Sequence, residues 1–82
     1  MIRDFTDADG RAWHALATET LVAHAKKGMR LAFRPADTPD EELILTPITF
    51  NSVAAAEFAL STLGVNELRR RLSLALAELV GP

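Results

Sequence analysis

The chain has 82 residues, enough for one domain and too few for two. Its hydrophobic fraction of 49% and charged fraction of 24% are those of an ordinary globular protein and argue against disorder. The sequence contains no cysteine, which excludes a disulfide framework and a thiolate metal site.

No stretch of the sequence predicts a membrane span, because its apolar runs are shorter than the roughly 18 residues that a span requires. The residues Met1 to Phe5 lack the apolar stretch of a signal peptide. We therefore expect a cytoplasmic protein that has no membrane partner.

The net charge of −2 argues against indiscriminate binding of nucleic acid. The charges are nevertheless clustered into a basic stretch (Lys26, Lys27, Arg30, Arg34), an acidic stretch (residues 37–42) and a second basic cluster (Arg69, Arg70, Arg71). Such clusters are typical of solvated turns and faces. The arginines are also residues that could contact phosphates.

The first predicted element is a β-hairpin. Residues 7–10 (DADG) suit a type I turn, because an Asp at the first position accepts a backbone N–H and a Gly at the fourth tolerates positive φ. Residues 2–6 and 11–22 are then its strands. Residues 11–27 also fit a helix that stops at Gly28. The hairpin needs a strand after the turn, so the strand interpretation is preferred.

Two further strands are predicted at residues 29–35 and 43–50. In the first, apolar side chains alternate with Arg30 and Arg34, and a proline ends the strand. In the second, Pro47 indicates an edge position or a bulge, because proline has no N–H for the ladder. The apolar length of this edge could promote pairing between chains.

Two C-terminal helices follow in the sequence. Ser52 is suited to cap a helix over residues 53–63 that stops at Gly64, and Asn66 is suited to cap a helix over 66–79. The apolar stripe predicted for the second helix is Val65, Leu68, Leu72, Ala75, Leu76 and Leu79. We therefore predict a single α+β domain over residues 1–82. It is an antiparallel meander of three or four strands, with the two helices packed on one face.

Four segments carry a resemblance to other proteins: FTDADGRAW at residues 5–13, LAFRP at 31–35, TFNS at 49–52 and ELRRRL at 67–72. In these segments the chain resembles a group of short bacterial α+β proteins of unknown function. The resemblance implies an N-terminal strand meander followed by C-terminal helices, which agrees with the strand interpretation of residues 11–22. It implies no activity and no functional residue.

The residues that could carry chemistry do not form a recognisable motif. Asp7 and Asp9 do not belong to a complete calcium loop, because the first and twelfth positions would be Phe5 and Leu16, where carboxylates are needed. His14 and His24 are too far apart on a strand, and too divergent on a helix, to chelate one metal unaided.

Nucleophilic and phosphate-binding motifs are missing as well. The sequence has no G-x-S-x-G elbow, and its glycines are too dispersed for a phosphate-cradling loop. We therefore expect no catalytic residue, no metal site and no cofactor, and we expect that the chain is not an enzyme.

The candidate interface is an apolar patch on the two helices. Phe58 points away from the predicted inward face of the first helix, with Ala54 and Ala55 beside it, and Leu74 lies off the stripe of the second helix. This patch favours a non-catalytic interaction or accessory module that binds a protein partner or associates with itself. The alternative function is a regulator that contacts nucleic acid through Arg30, Arg34 and Arg69 to Arg71. A small-molecule binder in the sheet–helix cleft is a third possibility.

Overall fold

The computed structural model describes residues 1–21, 26–38 and 40–80. Four strands are followed by two helices: β1 (Ile2–Thr6), β2 (Ala12–Leu21), β3 (Lys27–Pro35), β4 (Ile44–Phe50), α1 (Val53–Thr62) and α2 (Val65–Val80). The strands form one sheet in the order β1-β2-β3-β4, each antiparallel to the next. The predicted α+β meander with two C-terminal helices is therefore confirmed.

The helical alternative for residues 11–27 is wrong over the described part of that segment. Residues 12–21 form β2, which pairs with β1 on one side and with β3 on the other. Strand β3 begins at Lys27, two residues before the predicted start, because Gly28 pairs with Thr20. His24 lies outside the described residues.

The β1–β2 turn forms as its sequence predicts. The Gly10 N–H donates to the Asp7 carbonyl at 3.1 Å, and Gly10 adopts a φ of 86°, in the left-handed region that favours glycine. One Asp7 carboxylate oxygen accepts the backbone N–H groups of Asp9 and Arg11, each at 2.9 Å. The turn is therefore held by the side chain of its first residue.

One face of the sheet carries the core. Phe5, Trp13, Ala15, Leu31 and Phe33 point from the sheet toward three buried leucines of the helices, Leu60, Leu68 and Leu72. The rings of Phe5 and Phe33 meet edge to face with centroids 5.7 Å apart. Because side chains alternate along a strand, the opposite face carries the other set, and neither described helix lies over it.

The two helices cross the sheet in opposite directions. Helix α1 follows β4, and its C-terminal carbonyls at Leu60 and Leu63 accept hydrogen bonds of 2.9 Å from Arg3 of β1. Helix α2 begins near the same edge, where Arg69 donates to the Thr6 carbonyl at 2.7 Å. It contacts β4 as well as β1, so the chain returns across the sheet.

The helix ends depart slightly from the sequence prediction. Ser52 caps α1 as expected, its hydroxyl accepting the Ala55 N–H at 3.1 Å. Helix α2 begins at Val65, and the Gly64 carbonyl accepts the Leu68 N–H at 3.0 Å. Asn66 therefore lies in the first turn, and the prediction that it caps the helix is wrong. Among the described residues, neither helix combines the length and apolarity needed to cross a membrane.

Candidate interaction surface

Helix α1 is apolar around most of its circumference, although the sheet covers only one side of it. Ala56 and Leu60 are buried against the sheet. Four apolar residues of the helix are exposed, namely Val53, Ala54, Ala55 and Phe58, and Phe58 is 69% exposed. We call these four residues the α1 patch. A helix that is apolar all round is normally buried on all sides, which is not so here.

The apolar stripe of α2 is also only partly covered. Leu68, Leu72 and Ala75 of the predicted stripe are buried. The other members, Val65, Leu76 and Leu79, are exposed, so the prediction that the whole stripe enters the core is wrong.

A groove of about 450 Å³ runs between α2 and the edge strand β4. It is lined by Thr46, Pro47 and Ile48 of β4 and by Arg71, Leu74, Ala75, Ala77 and Glu78 of α2. Its volume falls within the range of roughly 300–1,000 Å³ that ligand sites occupy in proteins. We call it the α2–β4 groove. Leu74, half exposed at 50%, is its largest exposed apolar side chain.

The β4 wall of the groove is a bulge built around Pro47. The register of β3 and β4 shifts between the pair Arg30–Thr49 and the pair Ala32–Leu45. The buried Thr46 hydroxyl donates to the Leu31 carbonyl at 2.8 Å and accepts the Ile48 N–H at 3.2 Å. These bonds replace ladder bonds that a bulge interrupts. The bulge predicted from Pro47 is therefore present.

Two opposite charges stand on the α2 wall of the groove. Arg71 donates from Nε to Oε1 of Glu67 at 2.7 Å, which orients its guanidinium along the helix. Glu78 lies two helical turns after Arg71 and lines the same groove. The groove is thus apolar in the middle, at Leu74 and Ala75, with one charge toward each end of the α2 wall.

The structure separates the predicted interface residues into two places. Phe58, Ala54 and Ala55 lie on the exposed side of α1. Leu74 lies in the α2–β4 groove, and no α1 residue of the described chain lines that groove. The sequence offered Leu74 and the 43–50 edge as separate interface candidates, and the structure brings them together in one groove.

The arginines named for nucleic-acid contact also lie on two sides of the sheet. Arg30 and Arg34 point from β3 to the face without helices, where Arg30 donates to Thr20 and to the Thr46 carbonyl. Arg69, Arg70 and Arg71 belong to α2 on the other side. There Arg69 bonds Thr6, while the other two donate to Glu67. Nucleic-acid binding stays a prediction, and the five arginines do not share one surface.

The helix-free face of the sheet carries a polar row across three strands. Arg34 Nε donates to His14 Nδ1 at 3.2 Å, and His14 Nε2 lies 3.2 Å from the Asp4 carboxylate. Because Nδ1 of His14 accepts a hydrogen bond, the proton of the neutral imidazole lies on Nε2, which faces Asp4. Within residues 1–21, 26–38 and 40–80, no three His, Asp or Glu side chains converge as a metal site requires.

Neither a protein-family model nor a curated protein nor a solved structure matches this chain.

Proposed function

We propose that the protein is a non-catalytic interaction module that binds a protein chain through the apolar outer surface of its two helices. The observation that carries the proposal is the set of exposed apolar side chains on helices whose other sides already pack on the sheet. They are Val53 and Phe58 of α1 with Val65, Leu74, Leu76 and Leu79 of α2.

Covering these side chains supplies the driving force for association. Fully burying one Phe or Leu side chain contributes about 1.5–3 kcal/mol. A partner that covers the α1 patch and fills the α2–β4 groove would remove several such side chains from water. A few well-packed and fully desolvated side chains supply most of the binding free energy in protein interfaces.

The hydroxyl groups of α1 support the non-catalytic part of the proposal. The Ser52 hydroxyl accepts the Ala55 N–H, while the Ser61 and Thr62 hydroxyls donate to the Phe58 carbonyl at 2.9 and 2.8 Å. The Ser52 bond caps the start of the helix, and the Ser61 and Thr62 bonds go to a carbonyl of the preceding helical turn. The hydroxyls therefore have structural roles that explain their positions without a reaction.

Photo-crosslinking in the cells that make the protein tests the proposal. A photoreactive amino acid is placed at position 58 or at position 74, and the matched control carries it at Thr49. Thr49 is exposed and lies on the helix-free face of β4. We expect a covalent adduct with a protein at position 58 or 74 and none at position 49. Equal yields at all three positions, or no protein adduct at all, would contradict the proposal.

A further inference from the structure

We infer that the partner at the α2–β4 groove is a second copy of this chain, bound with the two α2 helices antiparallel. The inference rests on the proposed function, of which it names the partner. The two-fold axis passes between Leu74 and Ala75. Each Arg71 then faces the partner's Glu78.

The charge pattern of α2 is self-complementary about that axis. Arg71 and Glu78 are seven residues apart, which places them about 10.5 Å apart along the helix and within about 20° around it. Their midpoint lies between Leu74 and Ala75. A second α2 running antiparallel about this point brings opposite charges together twice, whereas a parallel α2 in the same register would bring like charges together.

The shape of the groove fits the same arrangement. In this register Leu74 lies opposite Ala75 of the partner subunit, so a large side chain faces a small one on both sides of the axis. Ala77, also small, lines the groove. The protruding Leu74 of each copy enters space between α2 and β4 of the other copy, where Pro47 and Ile48 supply apolar contacts.

The β4 edge favours this helical contact over strand pairing between chains. Pro47 has no N–H to give to a neighbouring strand, and the bulge around it breaks the regular ladder. An isologous contact through α2 also closes at two copies, since the same patch is used on both.

Charge reversal with mixing tests the inference. Arg71→Glu alone and Glu78→Arg alone each place like charges at both contacts, so each variant should dimerise at least about tenfold more weakly than the natural chain. An equimolar mixture of the two should form a heterodimer, because both contacts are again between opposite charges. Lys27→Glu is the control. It makes the same charge change as Arg71→Glu at an exposed site at the start of β3 and should leave dimerisation unchanged.

The readout is the solution mass by light scattering, with thermal unfolding to verify that each variant is folded. Arg71→Glu also removes the pair with Glu67, but Glu78→Arg leaves that pair intact and tests the contact by itself. A mixture no heavier than its separate components would overturn the inference. A crosslinked adduct at position 74 with a mass other than two chains would overturn it too, yet leave the proposed function standing. No adduct at position 58 or 74 would overturn both.

Discussion

Asp7 joins the first turn to the core through both oxygens of its carboxylate. One oxygen accepts two backbone N–H groups of the turn, and the other accepts the Trp13 indole N–H at 2.9 Å. Trp13 is buried, so this bond satisfies a donor that would otherwise be lost from water without a partner. The Arg11 guanidinium lies 5.2 Å from the centre of the same ring and covers it.

This arrangement predicts a pH-dependent contribution to stability. The hydrogen bond from Trp13 is the largest cause of the lowered pKa of Asp7. Burial of the carboxyl opposes this shift. The backbone N–H groups of Arg11 and Asp9 and the positive charge of Arg11 lower the pKa further. A carboxyl with a lower pKa in the folded state stabilises the fold above its unfolded pKa of about 3.9 and loses that contribution as the pH falls through the folded value. The melting-temperature difference between the natural chain and Asp7→Asn should therefore be largest near neutral pH and shrink below about pH 4.

Thermal unfolding at pH 7 and at pH 3 measures that difference. Asp9→Asn removes the same charge from the same turn and is the matched control. If the cost of Asp7→Asn were the same at both pH values, the Trp13 bond would not depend on the charge of the carboxylate.

At the scale of elements, the β4 bulge forms the strand wall of the α2–β4 groove. Thr46 is only 3% exposed, and its hydroxyl serves both the Leu31 carbonyl and the Ile48 N–H. Arg30 reaches across from β3 and donates to the Thr46 carbonyl at 2.7 Å. The bulge is therefore fixed by side-chain bonds where Pro47 prevents a regular ladder.

Thr46→Val should destabilise the fold, because it keeps the side-chain volume and leaves two backbone groups without their partner. The expected loss is about 1–3 kcal/mol in the free energy of unfolding, measured in urea. Thr49→Val is the control on the exposed face of the same strand and should change the free energy by less than about 0.5 kcal/mol. Equal losses in the two variants would mean that the Thr46 hydroxyl does not hold the bulge.

The elements were predictable where local chemistry determines them. The alternation in β3, the DADG turn and the Ser52 cap each depend on neighbouring residues, and all three form as expected. The start of α2 was not predictable from Asn66, because the Gly64 carbonyl already begins the helical bonding. The exposure of Leu76 and Leu79 depends on where the sheet lies beneath α2. The hydrophobic periodicity of the sequence carries no information about that position.

The candidate site was predictable only in part for the same reason. Phe58 and Leu74 could be identified because each lies off the inward face of its helix, and both are exposed. The groove joins residues 46–48 to residues 71–78, and its depth depends on the register shift between β3 and β4. A proline within a strand predicts such a register shift, but the proline does not indicate which helix packs over that strand.

At the scale of the whole molecule, the fold places its apolar surfaces unevenly. One sheet face is covered by the helices, and the helices in turn carry Phe58, Leu74 and Leu79 as exposed side chains. A small domain that leaves such side chains in water gains stability when a partner covers them. Association and folding are therefore expected to be coupled, so the melting temperature should rise with protein concentration.

The solution mass of the natural chain over a wide range of concentration tests the central claim most directly, with Leu74→Asp measured beside it. Light scattering should show the natural chain rising from the mass of one chain to the mass of two. Leu74→Asp should keep the mass of one chain throughout, because it places a charge at the centre of the apolar contact. A natural chain that keeps the mass of one chain at every concentration would contradict self-association through α2.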